Sequence, residues 1–294
     1  MNYSMFAQNE ERDIDSVLAG SFRVPCPFGA GETSNSTPDQ QAVPLKPIDG
    51  PPYWGVDCVA PAHKPLGDSP TLYDYVLANS NGRQPAFFGR YLTPSSLQRI
   101  TADEQKFLRE RNCKLLLNYN QLSKQGVAGK GPGARQSGKD KAYAAANLAS
   151  DPEVGAPAKT GAPTIWIYAN IDSGYDPSVE WIQGWWDGLW ERGYAPRLYF
   201  PAGKDSAKVA TAMNGYNTIP NIRAWCSVWS WAGSSKGTRN VSKNEFTTDL
   251  PPTYAECVQV WQYGGQCFKY HGDETRSFDM NLATQAGYDK MWRC

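Results

Sequence analysis

Residues 164–200 read TIWIYANIDSGYDPSVEWIQGWWDGLWERGYAPRLYF, and this stretch decides the fold. Its first part, residues 164–171, is a run of β-branched and aromatic residues of strand length, closed by Ser173-Gly174. Further on, Ile182, Trp185, Trp186, Leu189 and Trp190 recur at i, i+3, i+4, i+7 and i+8, which gives one broad apolar face of a helix. Gly193 stops that helix, and residues 196–200 form a second short apolar run. A strand, a helix and a strand in this order make a βαβ unit with parallel strands.

The same rhythm extends in both directions. Runs of strand type occur at 53–59, 86–92, 114–119, 223–229, 257–263 and 277–282, which brings the expected number of strands to eight. Thr101 and Glu104 have the spacing of a capping box ahead of Phe107 and Leu108. Ala142, Ala145, Ala146 and Ala149 make a small-residue stripe suited to close packing on a sheet. Asp205 is placed to cap a helix carrying Val209, Ala210 and Met213. Helical periodicity fades after Trp231, so the last strands are expected to be joined without full helices. Tyr53 to Cys294 spans about 240 residues, close to the size of a closed eight-stranded barrel. The rival, an open doubly wound sheet, carries a glycine fingerprint after its first strand. Here that position reads Asp57-Cys58-Val59-Ala60-Pro61. The expected class is therefore α/β, a (β/α)8-type TIM barrel over residues 53–294.

Residues 1–52 differ in character, being rich in Pro, Gly, Ser and Thr without sustained periodicity, and read as a leader or surface strap. They contain no apolar core of a Sec-type signal, which leaves a cytoplasmic chain, export by a non-Sec route, or action outside the cell after removal of a signal as the alternatives. Lys plus Arg and Asp plus Glu balance at 29 each, which argues against a protein built to hold nucleic acid or an anionic membrane. No apolar run is long enough to span a bilayer. Seven cysteines at irregular spacing include no CxxC pair. They read first as buried thiols, with Cys257 and Cys267 as one candidate pair and Cys294 placed where a staple would help.

In a barrel, functional groups gather at the C-terminal ends of the strands. That rule collects Asp57, Arg90, Tyr91, Asn118, Asn170, Asp172, Tyr199, Trp229, Trp231, Gln262, Asp279 and Asn281. Carboxylates, amides and aromatics suit a sugar, whose C–H faces stack on rings and whose hydroxyls bond to carboxylates and amides. Glycoside cleavage also needs an acid for the leaving oxygen and a second group for the developing charge. Asp172, Asp57 and Asp279 are the catalytic candidates, and the other nine are candidate substrate-binding residues. Arg90 invites the bland alternative of an ion-pair partner to an internal acid such as Asp57, and Glu104 that of a simple cap. Two histidines, His63 and His271, show no HExxH or ligand cluster, so neither metal nor cofactor is expected. The glycine-rich segment 126–133 lacks the GxxxxGK[ST] pattern and reads as a loop over the site.

Taken in order, Trp54-Gly-Val-Asp57, Phe88-Gly-Arg-Tyr-Leu92, Thr101-x-x-Glu104, Ile167-Tyr-Ala-Asn-Ile-Asp172, Trp261-Gln-Tyr263 and Phe278-Asp-Met-Asn281 resemble a glycoside-hydrolase-like barrel family of unknown function, similar to the family 25 lysozymes. The resemblance implies a muramidase-type hydrolase of peptidoglycan, with the substrate's own N-acetyl group attacking the anomeric carbon. It implies that Asp57 and Asp279 match acids at the ends of strands one and eight. It also places Asp172 where that family has the acid glutamate of an Asp-x-Glu pair, with Asn170 in the aspartate's place. The alternatives are a glycan-binding protein that does not cut, and a delivered or structural component docking through its leader.

Overall fold

The computed structural model describes residues 48–96, 98–161, 163–201, 206–217, 228–231, 240–246, 258–265, 267–269 and 277–294. Within them eight strands follow the chain: β1 (Tyr53–Asp57), β2 (Phe87–Leu92), β3 (Lys114–Tyr119), β4 (Trp166–Asn170), β5 (Ala195–Pro201), β6 (Val228–Trp231), β7 (Val258–Gly264) and β8 (Asp279–Ala283). The helices are α1 (Leu72–Asn79), α2 (Ala102–Glu110), α3 (Lys124–Val127), α4 (Gly131–Ser150), α5 (Val179–Glu191), α6 (Ser206–Asn217) and α7 (Gln285–Asp289). Residues 1–47 of the expected leader, Asp205, His271, Cys257 and residues 223–227 of the expected sixth strand lie outside the described residues.

The protein is mixed α/β, with one curled sheet whose strands neighbour one another in sequence order and close through β8 onto β1. Strands β1 to β7 pair in parallel. Strand β8 runs antiparallel to both β7 and β1, so the sheet departs from the regular (β/α)8 pattern. Parallel neighbours need a crossover, commonly a helix, whereas an antiparallel neighbour does not. Among the described residues no helix lies between β6 and β8, and most of the connections on which the fading helical signal after Trp231 bears lie outside them.

The pleat sorts side chains into two layers. Phe87, Leu116, Trp166, Tyr168, Ala195, Tyr199, Val260 and Ala283 form the cluster within the curl. Trp54, Val56, Phe88, Leu92, Leu115, Leu117, Ile167, Leu198 and Phe200 face the helices in the larger core. Strands buried on both faces explain why they read as continuous apolar runs rather than alternating ones. Gly55 is required on the inner face, because a Cβ there would lie 2.5 Å from the Phe87 ring.

Helices α4 and α5 approach so closely that glycine is needed in both. A Cβ on Gly138 would come within 2.1 Å of the Trp181 carbonyl oxygen, and one on Gly184 within 1.8 Å of that of Arg135. The alanine stripe expected to meet the sheet is buried, and its Ala142 also faces Gly188 of α5. On α5 the packed face holds Trp181, Ile182, Trp185 and Leu189, while Trp190 is 52% exposed. Eight residues at 100° each leave Trp190 about 80° off the Ile182 direction, beyond the packed stripe. Ser178 caps α5, its hydroxyl accepting the Trp181 N–H at 3.1 Å.

The glycine-rich segment is not a loop over the site. It contributes to α3 and the start of α4. It is tied down by Ser137 Oγ donating to the Gly126 carbonyl at 3.0 Å and by Gly131 N–H donating to Glu180 Oε1 at 3.3 Å.

Candidate active site

The acids meet at one end of the sheet because of strand direction. Asp57 is the last residue of β1, and Asp279 is the first of β8; since these strands are antiparallel, the two stand opposite each other in register. The sequence reading placed Asp279 at the end of a parallel strand; it reaches the same mouth by starting an antiparallel one. Two amides hold the pair. Asn281 Nδ2 donates to Asp57 Oδ1 at 2.7 Å and, more weakly, to the Asp279 carbonyl at 3.4 Å. Gln262, opposite Asn281 in the β7–β8 register, donates Nε2 to Asp279 Oδ2 at 2.6 Å.

A second polar chain crosses β3 and β4. Asn118 Nδ2 donates to Asn170 Oδ1 at 3.3 Å, and Asn170 Nδ2 donates to Asp172 Oδ1 at 2.9 Å. Asn118 Oδ1 and Gln262 Oε1 are buried and have no hydrogen-bond donor among the described residues. Each of these amides commits its NH2 to a neighbour in the acid network, so its oxygen remains as an acceptor.

Burial dominates the electrostatics. It lifts the Asp172 carboxyl from its ordinary 3.8 to about 6, opposed by the hydrogen bond from Asn170. Burial and then the charge of Asp279 push Asp57 well upward, against the hydrogen bond from Asn281. Two carboxylates this close resist ionising together. The hydroxyls of Tyr91 and Tyr199 are pushed up by burial and by the same three acids, Asp57, Asp172 and Asp279. Both therefore stay protonated, and their shared response puts all five groups in one field. Tyr175, which the strand-end rule did not select, also feels Asp172 while its hydroxyl donates to the Leu122 carbonyl at 3.2 Å. Its sequence signal is only that it follows Asp172 by three residues.

Arg90 departs from the expected substrate-binding set. Its side chain is fully buried against the helices, with Nε 2.9 Å from Glu104 Oε1. It also donates to the carbonyls of Cys58 at 2.8 Å and Gln98 at 3.0 Å, and to that of Val59. Its acid partner is Glu104, not Asp57. Glu104 in turn accepts the Ala62 N–H at 2.7 Å. The Glu104 side chain thus fixes the β1–α1 segment to α2, while its backbone N–H meets the Thr101 cap at 3.2 Å. The physical reason is parity: neighbours along β2 point to opposite faces, so with Tyr91 turned to the mouth Arg90 is turned away. Of Trp229 and Trp231 only the backbone is described, in register with Tyr199 and Gln262 respectively. No cluster of three metal-ligating side chains occurs among the described residues, and no helix among them is long and apolar enough to cross a membrane.

Fold and site together define a mixed α/β barrel with an acidic, tyrosine-lined mouth. No family model and no curated protein matches the chain. Among solved structures, an uncharacterized B. stearothermophilus protein is similar, with 25% identity and a TM-score of 0.59, covering 81% of this chain and 99% of that one. The chain is similar also to the catalytic domain of endolysin ply40 from bacteriophage P40 of Listeria monocytogenes, at 14% identity and TM-score 0.46, with 81% and 95% covered. A family 25 glycosyl hydrolase from Bacillus anthracis matches at 14% identity and TM-score 0.42, with 82% and 93% covered. At TM-scores below 0.5 the last two likenesses carry no residue roles to this chain.

Proposed function

We propose that the protein is a glycoside hydrolase that cleaves an N-acetylated polysaccharide of the bacterial wall, peptidoglycan being the expected substrate. The observation that carries this reading is the Asp172 carboxyl, lifted by burial to about 6 at a mouth that also holds the Asp57–Asp279 pair. A carboxyl that holds its proton up to about pH 6 is what the departing glycosidic oxygen requires.

In the reaction, protonated Asp172 gives its proton to the glycosidic oxygen as the C–O bond breaks. The substrate's acetamido carbonyl oxygen attacks the anomeric carbon and forms a cyclic oxazolinium-type intermediate. Asp57 and Asp279 hold the acetamido N–H and the incoming water. The Asp172 carboxylate then takes a proton from that water as its oxygen bonds to the anomeric carbon and the ring reopens. Asn118 Oδ1 and Gln262 Oε1 supply acceptors for sugar donors, and Tyr91 and Tyr199 supply hydroxyls and ring faces.

A reducing-end assay on purified peptidoglycan tests the reading. Wild type is expected to release reducing ends, and Asp172→Asn to lose roughly 100-fold or more of that rate. Wild-type rates surviving in Asp172→Asn would remove Asp172 from the role. A second reading, glycan binding without cleavage, is favoured by Asn170 standing where the resembled lysozymes have an aspartate; saccharide affinity with no product over long incubation would select it.

A further inference from the structure

Away from the mouth, two cysteines lie near each other beside α2. The segment after α7 returns against the start of β3. Leu115 N–H donates to the Trp292 carbonyl at 2.8 Å, and Trp292 N–H to the Leu115 carbonyl at 2.9 Å, an antiparallel bridge. Two residues before Leu115, just ahead of β3, is Cys113, and two residues on from Trp292 is Cys294. In an antiparallel pair these positions oppose each other on the same face as Leu115 and Trp292.

Two further contacts show that the segments stay together there. Arg293 Nη2 donates to Asn112 Oδ1 at 2.9 Å. Cys294 Sγ donates to the Gln105 carbonyl at 3.4 Å, and Cys113 N–H donates to the Leu108 carbonyl at 2.9 Å. Both cysteines are thereby fastened to one stretch of α2. Cys113 is buried, Cys294 is partly so, and both carry free thiols. The bridge itself pairs Leu115 with Trp292, and opposed Cα atoms of an antiparallel pair lie about 4.5–5.5 Å apart whether or not they share hydrogen bonds, inside the range a disulfide spans.

We propose that Cys113 and Cys294 are a disulfide site, an oxidative staple that binds the segment following α7 to β3. With a small disulfide such as oxidised glutathione as oxidant, the more exposed Cys294 thiolate attacks one sulfur and releases one glutathione thiolate. The Cys113 thiolate then attacks the Cys294 sulfur of the mixed disulfide and releases the second. Two protein thiols are oxidised, one small disulfide is reduced to two thiols, and the two protons lost by the cysteines pass to the leaving groups. Burial pushes both thiols up, so the exchange is slow at neutral pH and faster in mild alkali. Cys58 is the competing partner, since it too is buried in the same core.

The test is incubation of the full chain with oxidised glutathione at about pH 8.5, followed by peptide mapping without reduction and by thermal unfolding. A Cys113–Cys294 linked peptide is expected, with the midpoint raised by roughly 5–15 °C and the rise absent in both Cys294→Ser and Cys113→Ser. A Cys58–Cys113 link, a glutathione adduct that stays on Cys294, or an equal rise in wild type and Cys294→Ser would each overturn the proposal.

Discussion

Asp172 shows how a burial cost becomes a pH dependence. Its folded value of about 6 lies above the ordinary 3.8. Below about pH 4 the carboxyl is protonated in the folded and unfolded chain alike, and its burial carries no ionisation cost. Between those values the unfolded chain releases its proton first, and above about pH 6 the folded state bears the whole cost, on the order of 2–3 kcal/mol. Asp172→Asn is therefore expected to unfold at higher urea than wild type at pH 7.5 and at the same urea at pH 3.5; equal stability at both would contradict the raised value. Activity should fall roughly tenfold per pH unit above about 6, as the proton donor is titrated away. Arg90 gives the opposite prediction. Arg90→Met strands Glu104 in the core and should cost roughly 3–5 kcal/mol in urea unfolding, much of it regained in the Arg90→Met, Glu104→Leu double variant. The three acids of the mouth, Asp57, Asp172 and Asp279, could be read from strand ends, whereas Arg90 could not be excluded: side chains alternate, and no strand end shows in sequence which of two neighbours turns inward.

At the scale of elements, glycine separates positions of close approach from positions of mere convenience. Gly184→Ala forces a methyl into the backbone of α4 and is expected to lose roughly 1–3 kcal/mol or more. Gly133, within α4, has nothing near its would-be Cβ, so Gly133→Ala should gain about 0.5–1 kcal/mol through helix propensity. Circular dichroism melts of the two variants should move in opposite directions, and a shared direction would refute the packing argument. Apart from the sixth, whose expected start lies outside the described residues, strand positions were legible to within a few residues, β3 at both ends, because two-sided burial writes itself as an apolar run. Helix α1 was not, since Leu72, Tyr73 and Val76 bury too short a stripe to stand out. The glycines of segment 126–133 suggested a loop because composition does not reveal Ser123, whose hydroxyl caps α3 by accepting the Gly126 N–H at 3.1 Å.

At the scale of the molecule, residues Lys46–Cys294 make one compact unit. Ile48 packs against the inner cluster, and Asp49 pairs with Arg83 at 3.3 Å. A chain beginning at Lys46 is accordingly expected to fold with unchanged far-ultraviolet dichroism and an unchanged unfolding midpoint; loss of either would show that the preceding residues are needed. The direction of β8 was the one global feature hidden from the sequence, because a five-residue strand reads the same either way. That strand also has a consequence in time. During synthesis β1 emerges early, yet its second partner is translated more than two hundred residues later. Until then the nascent chain carries two bare strand edges, at β1 and β7, each a template for wrong pairing. Closure is a contact of very long sequence separation, the kind that slows folding and leaves intermediates prone to aggregate. Yield in a heterologous host should therefore depend on chaperones that shelter an open sheet, and a ribosome stalled before residue 279 should hold a chain that is collapsed but not yet sealed.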